Sequence, residues 1–499
     1  MKVAILGTCL VAGVTVGLIG GCGGEEPVLS PHPLTDLSLW EIATGEGAEG
    51  TVLLPLGAVV PFALREGQGQ ITLVTPSGGG EYMLILYSLS RKPGTVSFTL
   101  QITAAGGKRL RQPGSHLSPL PGQALGGIQK PSLFRGQKFC FHPPPEHSGT
   151  ARVPFLLPRR TQNLTVPAPC GPDAPATLTV RQVHRGLFHH LLVAENVEPK
   201  AFPEEMAVVL GQTFDQQVYP TLTKLLGAPS DLDHNGRVLL VFTPLLNEWG
   251  YNGAFCVQDL LFPKTGQPQE VLYFRLPQGP SEVDFLCGMM GHELTHLIHV
   301  TQRLRRGLAA EELWLMEGLA AVGQDLAGFP HSNMTRVKAY LQAPPRFSIL
   351  NLDLSEGGRG GLYLFLRYLV DRFGTRLLAR LVRGENTGVW NVEAATGMPF
   401  ADLFRDWAAA VYLTNLPITT QPPYQFTSSP AGTEKAGEAP WPAETILALS
   451  ALPFCGQVAR GGVHYLRVVV PSSNGVTLTL ETAADSGLRW AGGRLSGER

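Results

Sequence analysis

The sequence predicts a multidomain α+β protein, in which a central region of mixed helix and strand is flanked by an N-terminal β-sandwich and a small C-terminal β module. Three observations predict it. The chain has 499 residues, room for about three domains of ~150 residues each. Short alternating apolar and polar runs, broken by Gly, Ser and Pro, fill the stretch from about 50 to 105 and return near the end. Between them, apolar residues recur at helical spacing, most clearly at 203–226 and from Val283 onward. With 44% hydrophobic and 16% charged residues the chain can bury large cores, while 58 Gly and 41 Pro suit exposed loops and β-rich flanks. A net charge of -1 gives no global field to draw nucleic acid or an anionic membrane.

In chain order, Met1 and Lys2 lead into VAILGTCLVAGVTVGLIGG, which stops at Cys22 and turns polar at Glu25 and Glu26. One basic residue, a short apolar core and small residues before a boundary describe a signal peptide over 1–21. The IGGC ending looks like the lipobox of bacterial lipoproteins, with Cys22 the lipidated first residue of the mature chain. No later run reaches the roughly 18 apolar residues that span a bilayer, so membrane contact is expected through that lipid only. The expectation is an exported monomer, either a bacterial cell-envelope lipoprotein or secreted.

Residues 22–45 read as a polar tether and 46–110 as the N-terminal sandwich, with strands in TVLLPLGAVVPFAL, QITLVTP, EYMLILYSLS and TVSFTLQITA. Residues 111–177 read as a linker with short strands near KFCFH and ARVPFLL, 178–426 as the central domain, and 427–445 as a second linker. The C-terminal β module, 446–499, carries HYLRVVVP and GVTLTLETA, and under ~70 residues is marginal for a core of its own. Once the signal is removed and Cys22 modified, Cys140, Cys170, Cys256, Cys287 and Cys455 remain. Proximity along the chain suggests Cys140 with Cys170 and Cys256 with Cys287. Five buried thiols is the other reading, since spacing does not fix Cα geometry.

The central domain carries HELTH at 292–296 and, after twenty intervening residues, Glu317 in the apolar run LWLMEGLA. Residues four apart on a helix sit about 40° apart in azimuth, so His292 and His296 can aim at one ion. Glu293 lies beside them without having to bind. Zinc held by three protein ligands lowers the pKa of a bound water to about 7 and polarises a carbonyl. Glu293 would take that water's proton and pass it to a leaving amine. Pro280, Ser281 and Asp284 read as stop, N-cap and capping-box acid of a helix about six turns long. Burying Glu317 among Trp314, Leu315, Met316, Leu319 and Ala320 without a partner would be costly, and a metal is a good reason to put it there. His299 lies about 10 Å along the axis from His292 and reads as a supporting or packing residue. An HExxHxxGxxH site is excluded, because His299 stands where glycine is needed and Gln302 where the third histidine is needed.

The runs GHELTHLIHVTQRLRRG and EELWLMEGLAAVGQDLAG resemble the hyicolysin-type metallopeptidases, a bacterial family in the gluzincin group of zinc peptidases. Upstream, FDQQVYPTLTKLLGAPSDLDHNGRVLLVFTPLLN is similar to that family's approach to the active helix. Downstream, GGLYLFLRYLVDRFG and FADLFRDWAAAVYL are similar to its closing helices. The resemblance covers roughly 178–426. It implies a zincin-like α+β domain and a secreted or surface zinc-dependent endopeptidase acting on proteins or peptides. His292, His296 and Glu317 would bind Zn2+, with Glu293 as the acid/base. Two residues depart from the family: Met316 replaces an asparagine, and Arg359 replaces a tyrosine. If that tyrosine stabilises the oxyanion, the role passes to Arg359 or Tyr363.

Asp231, Asp233, Asn235 and Gly236 match the opening of a calcium loop, DxDxNG, but Phe242 stands where the twelfth-position glutamate belongs. An Asx-rich turn feeding a strand is the other reading. His189 and His190 alternate across a strand and read as structural. The leading functional expectation is peptide hydrolysis at the cell surface or envelope. The alternative is a catalytically silent zinc-site lipoprotein acting as a binding or adhesion module, with Arg359 as its main support.

Overall fold

A computed structural model describes residues 47–74, 79–105, 163–171, 174–261, 265–414, 416, 423–428, 442–449, 452–470 and 475–496. The signal peptide, Cys22, the tether, Cys140, and the strands expected at KFCFH and ARVPFLL lie outside them.

The first elements among the described residues are β1 (Gly50–Val52), β2 (Val59–Phe62), β3 (Gln68–Leu73), β4 (Gly80–Ser88) and β5 (Thr95–Ala104). The central region opens with β6 (Asn163–Pro167), β7 (Thr177–Arg185) and β8 (His189–Ala194). Helices α1 (Glu204–Thr213) and α2 (Tyr219–Leu226) follow, joined by a π turn over Phe214–Val218 inside the helix expected at 203–226. Next come β9 (Val238–Phe242), α3 (Pro244–Trp249), β10 (Gly253–Phe255), α4 (Gln258–Leu261) and β11 (Val271–Phe274). The helical half comprises α5 (Val283–Leu304), α6 (Leu313–Leu326), α7 (His331–Gln342), α8 (Glu356–Phe373), α9 (Arg376–Arg383), α10 (Gly388–Thr396) and α11 (Phe400–Leu413). The last elements among the described residues are β12 (Glu444–Ala448), β13 (Phe454–Ala459), β14 (Val463–Val470), β15 (Val476–Thr482) and β16 (Leu488–Ser496).

The two terminal β segments, expected as separate modules, share their sheets. One sheet runs β1-β3-β15-β5-β13 and the other β12-β14-β4-β16-β2. Strand β15 pairs with β3 on one side and β5 on the other, and β4 lies between β14 and β16. A C-terminal segment too short for its own core finds one by inserting between N-terminal strands.

Strand β4 ties this sandwich to the helices. Its apolar run is continuous because both of its faces are buried. Tyr82, Leu84 and Leu86 point into the sandwich core. Met83, Ile85 and Tyr87 join the core that includes Trp407 and Phe404, and Tyr87 stacks on Phe404 at 5.6 Å. Side chains that alternate across a strand thus serve two cores at once. Polar links follow the same seam: Asn351 Nδ2 donates to the Ser90, Lys92 and Arg460 carbonyls, and Arg91 pairs with Glu312 at 2.5 Å.

The third sheet runs β10-β11-β9-β8-β7-β6, parallel through β11, β9 and β8 and antiparallel at both ends. Buried apolar residues on β9 and β11 cover α5. No helix among the described residues is long and apolar enough to cross a membrane.

Candidate metal centre

Helix α5 spans 22 residues, about six turns at 3.6 per turn, and carries both histidines in its buried middle. Its start differs from the expected Ser281 cap. Pro280–Glu282 form a 3-10 turn, and the Glu282 carboxylate accepts two 2.8 Å bonds from Arg275 instead of capping the helix. Its far end is held by buried Arg303, which donates to the carbonyls of Ala309, Gly384 and Asn386. That clamp fixes the turn from α5 into α6.

Small residues let α6 cross α5 closely. A Cβ on Gly323 would stand 2.2 Å from Thr295 Oγ1, and one on Gly288 would stand 2.9 Å from Gln324. The crossing brings the Glu317 carboxylate opposite the two imidazoles. His292 Nε2 and His296 Nε2 are 3.3 Å apart, His296 Nε2 is 3.0 Å from Glu317 Oε1, and His292 Nε2 is 3.7 Å from Glu317 Oε2. Ligands about 2.0–2.1 Å from a tetrahedral zinc are about 3.3 Å from each other, which these separations bracket. All three side chains are buried, at 1%, 6% and 2% exposure, and the group can hold a metal ion. Glu317 Oε1 has no hydrogen-bond partner beyond its ion-pair contact, as expected of an atom meant for a cation.

Burial drives the pKa of His292 well below its usual value. Burial also opposes charge on His296, but the Glu317 carboxylate outweighs it and raises that pKa. For Glu317 burial is overcome by its close contact with His296 and by the Arg359 charge, which hold the carboxyl well below the carboxylate range. A divalent cation requires neutral imidazoles and an ionised carboxylate. The shifts at His292 and Glu317 run in that direction, and the one at His296 runs against it.

Glu293, at 3% exposure, points toward β10, where a Cβ on Gly253 would lie 2.7 Å from its Oε1. Burial pushes the Glu293 carboxyl up to about 7, a value that a cation at the neighbouring ligands would pull down. Sequence reasoning missed Gly253, because nothing local ties a glycine on one strand to a helix forty residues on.

Both residues named for the oxyanion make hydrogen bonds to protein groups. Arg359 Nη1 donates to Glu317 Oε2 at 2.9 Å and its Nε to the Leu354 carbonyl at 3.1 Å. Tyr363 donates to Asp325 Oδ2 at 3.0 Å. Arg359 reaches Glu317 because Gly360 lets α8 lie against α7; a Cβ there would stand 2.1 Å from the Arg336 carbonyl oxygen. The GGRGG run at 357–361 was the available signal for this close packing. His299 is buried without a hydrogen-bond partner on either nitrogen and is a packing residue. His189 contacts His184 and Asp215, and His190 contacts Gln182, so the two serve separate structural networks.

The expected cysteine pairings do not form. Cys170 is bonded to Cys256 with Cα atoms 6.0 Å apart, Cys287 is a buried free thiol in α5, and Cys455 is free and exposed. The bond joins the segment after β6 to the one after β10, a closeness created by the sheet across 86 residues.

Fold and site thus present a mixed α/β protein with a buried two-histidine, one-carboxylate group. Among curated proteins, the neutral metalloprotease ShpI of Staphylococcus hyicus is 22% identical over 156 residues, 29% of this chain and 35% of that protein. The chain therefore spans about a third of that relative's length, and the relationship is metalloprotease-like. No protein-family profile matches the chain.

Proposed function

We propose that this chain is a zinc-dependent endopeptidase of the hyicolysin type, with a zincin-like catalytic domain, exported to the bacterial envelope. The convergence of His292, His296 and Glu317 beside Glu293 carries the reading. When bound, zinc supplies Lewis-acid polarisation of the scissile carbonyl and lowers the pKa of its water to about 7. His292, His296 and Glu317 hold the ion, and Arg359 fixes the Glu317 carboxylate from behind. Glu293 takes the proton of the attacking water and returns it to the departing amine nitrogen. Gly253 leaves room for the Glu293 carboxylate. It lies on β10, the edge strand of its sheet among the described residues, where an extended peptide would add by backbone hydrogen bonds beside that carboxylate.

The Cys170–Cys256 bond supports an oxidising compartment, and the lipobox at Cys22 supports tethering through a lipid. The test is cleavage of casein and a quenched peptide library by the purified chain, with and without chelator, beside Glu293→Gln. The expected result is chelator-sensitive cleavage in the parent and a loss of about 10²-fold or more in the variant, with zinc content kept. One zinc per chain with no cleavage of any peptide would sink the peptidase reading and leave a binding module.

A further inference from the structure

We infer that the turn at 231–237 and Glu270 form a calcium site, separate from the zinc group and built only of oxygen donors. The turn lies just before β9, and Glu270 just before the neighbouring parallel strand β11. One carboxylate oxygen from each of Asp231, Asp233 and Glu270 lies within 4.8 Å of the other two. The glutamate missing from the twelfth loop position, Phe242, is thus supplied from the adjacent strand. Parallel pairing places it there: Leu239 N–H donates to the Glu270 carbonyl at 2.8 Å, and Leu232 N–H donates to Glu270 Oε1 at 2.9 Å.

The independent observation is the state of Glu270. Its side chain belongs to a residue only 1% exposed, and Oε2 has no hydrogen-bond partner. None of the three carboxylates makes an ion pair among the described residues. The nearby Arg237 guanidinium is directed to the Gly186 and Asn235 carbonyls. Three acidic groups, one of them buried, without a countercharge make an unfavourable arrangement that a hard cation resolves. Burial raises the Asp233 pKa, and the Glu270 and Asp231 charges add to the rise.

The turn is already shaped for this task. Gly236 N–H donates to Asp231 Oδ1 and Asn235 N–H to Asp233 Oδ1, while His234 and Gly236 take left-handed φ values of 57° and 69°. Asn235, expected as a ligand, gives its amide to Asp233 and accepts from Arg237 N–H. Flexible carboxylate donors suit Ca2+ better than Mg2+, which demands near-ideal octahedral geometry, and a set with no nitrogen or sulfur donor suits Zn2+ poorly. The site's place in the fold gives it a structural role. Gln302, in the last turn of α5, donates to the Ala228 carbonyl at 2.7 Å, so ordering this loop braces the helix that carries HELTH.

Calcium titration of the full chain with zinc bound, by calorimetry and thermal unfolding, tests the assignment. The expected result is one Ca2+ per chain with Kd of about 10⁻³ M or tighter, and a calcium-dependent rise in Tm that Mg2+ does not reproduce. Asp231→Asn and Glu270→Gln should each weaken binding about tenfold or more at unchanged zinc content, by removing one charged ligand. Asp231 is exposed, so its variant keeps the test valid if the Glu270 variant fails to fold. No uptake at about 10 mM Ca2+, or uptake unchanged in the Asp231 variant, would overturn the site. Because the readouts are calcium binding and Tm, they stand whether or not peptide cleavage is found.

Discussion

Replacing Arg359 by Met separates a residue that holds a ligand from one that stabilises a transition state. The guanidinium lies 2.9 Å from Glu317 Oε2, with both side chains almost fully buried. In the metal-free protein the substitution leaves a buried carboxylate with less compensation, a change that costs about 3–5 kcal/mol. With zinc bound, the cation compensates the same carboxylate. The remaining loss is then that of a hydrogen bond to a charged group, about 1.5–3 kcal/mol. Arg336 does not take over, since it is engaged with Asn333 at 3.2 Å and Glu356 at 3.8 Å. The stabilisation conferred by zinc should therefore be larger in the variant than in the parent by about 2 kcal/mol, the difference between these two costs. Urea unfolding of chelator-treated and zinc-saturated samples measures both quantities, and kcat at saturating zinc should fall less than about tenfold. Equal losses with and without metal would refute the reasoning. A kcat loss of about 10²–10³ at unchanged stability would instead make Arg359 an oxyanion donor.

Gly253→Ala should displace Glu293, because the new Cβ would stand 2.7 Å from its Oε1. The expected outcome is a kcat about 10²-fold lower at unchanged zinc content, the scale of an ångström misplacement, and full activity would discard the contact. Burial drives the His299 pKa down to about 3, with the Arg303 and His296 charges adding to the fall. Its unfolded value is about 6.5, so between these two values the unfolded chain binds the proton that the folded chain refuses. Its contribution to stability is then complete above pH ~6.5 and is lost as pH falls toward 3, by about 1.4 kcal/mol per unit. His299→Leu should remove about one proton from that acid dependence, measured by urea unfolding from pH 7 to 4, and an unchanged slope would contradict it.

The chemistry of the metal group was legible in the sequence because it depends on local periodicity. HELTH fixes two imidazoles one turn apart, and Glu317 is conspicuous as an acid in an apolar run. Strands β4, β5, β14 and β15 were likewise legible from their composition and spacing. What they pair with was not, since strand pairing carries no local signature. The disulfide reading failed for that reason: the third sheet brings Cys170 to Cys256, and sequence proximity does not measure Cα distance.

The sequence by itself determined which side chains could bind a metal and where α5 lies, through helical geometry within one segment. Only the tertiary structure decided their partners. Close helix crossings at Gly323 and Gly360 brought Glu317 to the histidines and Arg359 to Glu317. Parallel pairing of β9 with β11 brought Glu270 to the acidic turn, and β15 drew the two ends of the chain into one sandwich. Each of these contacts joins residues far apart in sequence, so its energy resides in packing between elements and leaves no mark in the periodicity of either.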